Sequence, residues 1–216
     1  MGSGAEHGGP RPLVVLVHGI WMTGMELVPL ARALRRGGLE PRIFHYPSLR
    51  WPLARSAEKL DAFIAAQRRP TVHLLGHSLG GLLLLHLFDR FPQQPPGRVL
   101  MLGSPIRGSG VARRVARHTL LRPLLGHAIE HGLLGDVPPW RGDRPVAMIA
   151  GTRGHGVGQV FGGLKRPHDG TVSLEETCAD WLDAHLAVPR GHFEMLLAPE
   201  VHRAAVNWLR KGVLAS

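Results

Sequence analysis

Thr71-Val-His-Leu-Leu75-Gly76-His77-Ser78-Leu79-Gly80-Gly81-Leu82 is the stretch from which the rest of the chain can be read. Thr71–Leu75 is a short apolar run, as in a strand buried on both faces. The leucine-rich segment Ser78–Phe91 has helical length and stops at Pro92. Only Gly76 and His77 separate the two, and the joint holds the pattern Gly-x-Ser-x-Gly. A strand that turns straight into a helix strains its turn residue, and glycines without Cβ let the two segments approach. The turn lifts the Ser78 hydroxyl above the sheet. It also directs the Leu79 N–H, at the positive end of the helix dipole, toward whatever the serine attacks. An ordinary glycine turn with a serine cap is the plainer alternative, but a cap does not need glycine on both sides.

Outward from this joint the same alternation repeats. Pro12–Val17, Pro41–Tyr46, Arg98–Leu102, Pro145–Ala150 and His185–Val188 read as further strands. Glu26–Arg36, Leu53–Gln67 and Glu200–Lys211 carry apolar residues at helical spacing. The expected fold is α/β: a mainly parallel, doubly wound sheet with helices on both faces. In such sheets the working site lies at the carboxyl ends of the strands. The whole of residues 1–216 reads as one domain, and a chain that is 44% hydrophobic can bury a full core.

At the end of the first strand stands Val17-His18-Gly19-Ile20-Trp21. A tetrahedral intermediate needs two donors aimed at its oxygen. Leu79 N–H is one candidate and Ile20 N–H the other, an oxyanion hole built from backbone. Trp21 and Met22 either line a substrate pocket or cover the core, and His77, beside the serine, is a further candidate substrate contact.

Five segments together carry a family likeness: VHGIWMTGMEL, LLGHSLGG, LMLGSPIRGS, HDGTVSLEET and PRGHFEML. The chain resembles bacterial α/β-hydrolases of the esterase/lipase group, in a minimal form without the amino-terminal strand pair of larger members. The resemblance implies a catalytic triad in the chain order serine, acid, histidine. In similar hydrolases an Asp-Gly-Thr stretch after the penultimate strand bears the acid, which designates Asp169, 91 residues after Ser78. Asp136 and Asp143 precede that strand. His192, after the last strand and before the closing helix, is the expected general base. The activity implied is hydrolysis of a carboxylic ester of short to medium acyl chain, with no cofactor and no metal. Thioester hydrolysis, amide hydrolysis and acyl transfer would use the same parts.

Arg107–Asp143 is longer than a simple crossover. Val111–Thr119 and Leu120–Leu134 read as two short helices broken by Pro123 and Gly126, with an apolar set from Leu120 to Leu134, and together they suggest a cap or lid over the sheet. A crossover helix plus a loop is the alternative. The same region contains His127-Ala-Ile-Glu130-His131, an inverted zinc-peptidase pattern that would hold zinc only on a continuous helix with a third ligand. The formal charge is +10, almost all from arginine, including Arg107, Arg113, Arg114, Arg117 and Arg122. No arginine run forms a basic tail, so nucleic acid is not an expected partner. A small-molecule or lipid ester is, with weak contact to an anionic membrane surface as an option. A single cysteine, Cys178, fits a cytoplasmic protein and reads as a buried apolar residue. Residues 1–12 read as a disordered leader, and Gly151–Gly163 as a flexible rim near the site. A non-catalytic binding module of the same fold is the remaining alternative.

Overall fold

The computed structural model describes residues 11–154 and 164–215. The expected leader, up to residue 10, and most of the expected glycine-rich rim, 155–163, lie outside the described residues. The elements run β1 (Leu13–Val17), α1 (Val28–Arg36), β2 (Glu40–Phe44), α2 (Leu53–Ala66), β3 (Val72–His77) and α3 (Leu79–Arg90). They continue with β4 (Val99–Leu102), α4 (Gly110–Arg117), β5 (Val146–Gly151), β6 (Ala184–Val188) and α5 (Pro199–Lys211). The strands form one sheet in the order β2-β1-β3-β4-β5-β6, and every pairing is parallel.

Period-two alternation divides the core between the two faces of the sheet. Leu13, Val15 and Val17 pack with Leu53 and Leu60 of α2 and the leucines of α3. Val14 and Leu16 pack with Leu30 and Leu34 of α1 and with Val201 and Trp208 of α5. This explains why the inner strands β1, β3, β4 and β5 are buried throughout, with neither face meeting water, whereas the edge strands β2 and β6 are partly exposed. Helix α3 is buried from Leu79 through Phe88, because it lies between the sheet, α2 and the segment after β4. A helix apolar all round needs such surroundings, and each fully buried leucine contributes about 1.5–3 kcal/mol.

The register sets the site. Val17 pairs with Phe44 on one side and Gly76 on the other, so β1, β2 and β3 end level with each other. The order reverses between β1 and β3, since the chain passes first outward to β2 and then back. That switch opens a crevice at the carboxyl edge.

Two sequence expectations need correction. Strand β3 runs on through Gly76 and His77, and α3 begins at Leu79 rather than Ser78. The second expected helix, Leu120–Leu134, does not form. In its place is a 3-10 segment, Arg122–Ile129, broken at Gly126 with φ 52° and ψ −143°. A Cβ on Gly126 would stand 2.2 Å from the Leu49 carbonyl oxygen, so the chain is pressed against a loop where a regular helix could not lie. Its leucines do not share one buried face: Leu125 and Leu133 are buried, whereas Leu120 and Leu124 are exposed. The first expected helix is real. Ser109 Oγ accepts from Ala112 N–H at 3.1 Å to cap α4, which buries Val111, Ala112 and Val115 and leaves Arg113 and Arg117 outward. No helix among the described residues is long and apolar enough to cross a membrane.

Candidate active site

The turn between β3 and α3 adopts the strained geometry expected of it. Ser78 sits at φ 54° and ψ −120°, a region costly for any residue with a Cβ, by about 1–3 kcal/mol. It persists because its surroundings over-determine it. Ser78 N–H donates to the Leu102 carbonyl at 2.8 Å, and Gly81 N–H to the Ser78 carbonyl at 3.0 Å. Gly76 and Gly80 are required by close approach. A Cβ on Gly76 would lie 2.6 Å from the Gly80 carbonyl carbon, and one on Gly80 would lie 2.3 Å from the Val17 carbonyl oxygen. Leu79 is the first residue of α3, so its N–H has no acceptor within the helix and faces outward at its positive end.

The loop after β1 runs beside the serine. A Cβ on Gly19 would stand 3.1 Å from Ser78 Cβ. The loop is fixed by its own polar groups. Tyr46 Oη donates to the His18 carbonyl at 2.9 Å and stacks on the His18 ring at 4.5 Å. Gly24 N–H and Thr23 N–H reach the Glu26 carboxylate at 3.0 and 3.3 Å. Burial lowers the His18 pKa, so this ring is a neutral structural partner.

Asp169 and His192 form a buried pair, with 2.6 Å between Asp169 Oδ2 and His192 Nδ1. The other carboxylate oxygen accepts from Val172 N–H at 2.7 Å and Thr171 N–H at 2.9 Å. Burial alone would raise the Asp169 pKa. The neighbouring His192, through charge and hydrogen bond, and the two amides outweigh burial and bring it below the usual carboxylate value. His192 N–H in turn donates to the Asp169 carbonyl at 2.9 Å, so backbone and side chain of the two residues are clasped together.

Ser78 and His192 open onto one cavity of about 130 Å³, which they share with Ile20, Trp21, Met22 and His77. Its remaining walls are almost wholly apolar: Val111, Ala112 and Val115 of α4, then Leu124, Leu125 and Leu133. The segment after β4 thus supplies one side of the cavity. Trp21, Leu124 and Phe193 are each half exposed and form the cavity's outer rim. Trp21 Nε1–H donates to the Leu124 carbonyl at 2.7 Å, linking the β1 loop to the segment after β4.

This arrangement has a known setting. Residues 14–210 match the description of one family. The chain belongs to the alpha/beta hydrolase family. No curated protein matches it. Among solved structures, this alpha/beta hydrolase is similar to the mature form of a Bacillus licheniformis lipase, at 21% identity and TM-score 0.68, covering 90% of this chain and 91% of that one. The propeptide form of the same lipase gives 20% identity and TM-score 0.78, with 98% of this chain covered and 53% of that one. A Bacillus subtilis carboxylesterase gives 15% and 0.59, with 95% and 86% covered. At such identities the likeness is one of fold.

The zinc-peptidase pattern fails on geometry. Glu130 is extended and His131 has φ 50°, so His127, Glu130 and His131 share no helix face. His127 pairs with Glu130 at 2.9 Å and His131 with Asp136 at 3.3 Å. Cys178 is half-buried rather than buried, with its Sγ 3.2 Å from the Leu174 carbonyl oxygen.

Three residues support this arrangement in the alpha/beta hydrolase. Glu176 Oε1 accepts from Gly110 N–H at 2.6 Å and Oε2 from Ser173 N–H at 2.8 Å, tying the loop that bears Asp169 to the start of α4. The Ser173-x-x-Glu176 spacing is a capping-box signal that could have revealed half of this. Glu194 accepts from Gly191 N–H at 3.0 Å and braces the loop that bears His192. His77, expected to contact substrate, does line the cavity, but its Nε2 is directed to the His192 carbonyl at 3.2 Å. No local pattern announces a bond across 115 residues.

Proposed function

We propose that the protein is a serine hydrolase of carboxylic esters, with Ser78 as nucleophile, His192 as general base and Asp169 as the acid that orients it. One observation above all supports this reading: a serine on a strained strand-to-helix turn and a buried histidine face the same apolar cavity, and behind that histidine its Nδ1 is paired with the Asp169 carboxylate. In the proposed reaction Ser78 Oγ attacks the ester carbonyl carbon while its proton passes to His192 Nε2. The oxyanion is held by the amides of Ile20 and Leu79. The C–O bond to the alcohol breaks as His192 returns the proton to the leaving oxygen. Water then attacks the acyl-enzyme, giving its proton to His192, and the acid departs as Ser78 recovers its hydrogen. Asp169 keeps Nδ1 protonated so that Nε2 is the basic nitrogen.

Residues 107–143 are read as a cap on one α/β domain spanning 1–216. Its apolar walls favour uncharged acyl groups, and the small cavity favours short to medium chains. The exposed Leu120, the half-exposed rim and the outward arginines of α4 suit a lipid ester presented at an anionic surface. The single cysteine, Cys178, supports a cytoplasmic setting. Thioesters, amides and acyl transfer would draw on the same groups, and relative rates on matched substrates separate them.

A fluorophosphonate probe should label Ser78, and Ser78→Ala should abolish labelling and lower p-nitrophenyl butyrate turnover by about 10⁶-fold. Activity retained in Ser78→Ala would overturn the reading. Anionic vesicles added to the same assay should raise the rate on longer esters if the rim meets a membrane.

A further inference from the structure

His77 occupies an odd position for a histidine. It is fully buried in the last residue of β3, directly before Ser78. The His192 carbonyl can only accept, so Nε2 of His77 carries the hydrogen of that 3.2 Å bond. Nδ1 is then a bare acceptor, and it is buried with no partner among the described residues. A leucine would fill the space without stranding a polar atom, so the single bond that His77 makes is the feature that distinguishes it.

That bond completes a pattern. The backbone of His192 is held from both sides: its N–H by the Asp169 carbonyl at 2.9 Å, and its C=O by His77 at 3.2 Å. One tether comes from the residue bearing the acid, the other from the residue adjoining the nucleophile. The His77 and His192 rings also pack at 4.7 Å between centroids. Strand β3 is fixed in the sheet between β1 and β4, so the tether ties the loop of the base to the most rigid part of the molecule.

We propose that His77 is a positioning residue: its Nε2–H, by holding the His192 carbonyl, sets the distance between the base and Ser78. The inference rests on the triad reading above. It also requires that His77 stay neutral, since a charge there would oppose the imidazolium formed on His192. Burial first, and the proximity of His192 next, push its pKa down to about 3, far below the pH at which a histidine base works.

The test compares His77→Leu, which loses the donor, with His77→Gln, whose side-chain NH₂ can reach the same carbonyl. Kinetics on p-nitrophenyl butyrate, fluorophosphonate labelling and thermal melting are measured for both. His77→Leu should lower kcat by about 10–10²-fold, as expected of an ångström-scale misplacement, with KM nearly unchanged. His77→Gln should recover most of the loss. If His77→Leu does not fold, His77→Asn serves, being polar but too short to reach. Wild-type kcat in the variant lacking the donor, or equal losses in Gln and Leu with both folded, would overturn the role of His77 and leave the triad intact. A wild-type protein that neither turns over ester nor takes the probe would instead overturn the hydrolase reading and this inference with it.

Discussion

Around the cavity at Ser78 the molecule builds two different kinds of wall. The floor is made of strand ends and the turns that leave them. Ser78, Asp169 and His192 are all buried, and their backbones are cross-bonded to β4 and to each other. The roof, residues 107–143, meets the rest of the chain through scattered bonds: Trp21 to Leu124, Arg107 and Gly110 to Glu176, His127 N–H to the Leu49 carbonyl, His86 to the His131 carbonyl and Arg141 to Asp89. Its inner side is almost all apolar, and its outer side carries exposed leucines and arginines. The difference separates two tasks. A rigid polar floor can hold reacting groups to fractions of an ångström, whereas an apolar roof sets only the size and polarity of what fits beneath it. Changes to the floor should therefore destroy turnover, and changes to the roof should redistribute it among substrates.

After loss of Ser78 itself, the largest effect should come from Asp169→Asn. The amide preserves shape but cannot hold His192 in the tautomer with hydrogen on Nδ1, and kcat should fall by about 10⁴-fold with KM little changed. Because the folded-state pKa of Asp169 is depressed, the carboxylate adds stability above its unfolded pKa of about 3.9 and loses that contribution as pH falls through the folded value. Melting curves of wild type and Asp169→Asn should accordingly differ at pH 7 and converge in strong acid. A loss of less than tenfold in kcat would mean that the 2.6 Å pair is structural only.

Val115→Phe tests the roof. Val115 is buried and faces the cavity, and a benzyl group there would occupy much of the space for an acyl chain. Turnover of p-nitrophenyl acetate should stay within about threefold, while kcat/KM for the hexanoate falls by about 10–200-fold, the range expected for lost pocket methylenes. A uniform loss over all chain lengths would show that α4 supports the floor rather than selecting the substrate.

The same division decided what could be read from sequence. The floor was legible because its demands are local. Buried strands must be apolar runs, and a strand-to-helix elbow must carry glycine where Cβ atoms would collide with Gly80 and Val17. The end of β3 was misjudged by two residues because Gly76 and His77 do not look like strand, yet they pair with Met101 and Leu102. The roof was legible only in α4, where the basic and apolar faces separate cleanly. From Leu120 to Leu134 the leucines imitate a helical stripe; Pro123 and Gly126 announce a break, but the contact of Gly126 with Leu49, which keeps any regular helix from forming there, has no local signature. The third case, His77 to His192, is invisible for the same reason: its partners meet only after the sheet has formed.

The smallest effect expected is that of Trp21→Phe, and it bears most directly on how the roof is attached. Phenylalanine keeps an aromatic ring on the rim but removes the Nε1–H that reaches the Leu124 carbonyl at 2.7 Å. Both residues are half exposed, so the freed carbonyl can turn to water and the net loss should be near the low end of about 0.5–1.5 kcal/mol. The floor does not depend on this bond, so kcat should hold while KM rises by about twofold, and Tm should drop by about 2 °C. Amide exchange in 120–134 should quicken, and exchange in β3 should not. If β3 and the roof loosen together, the two walls are one cooperative unit and their separation of tasks fails. If neither changes, the roof is secured elsewhere, with Glu176 at the start of α4 as the next bond to remove.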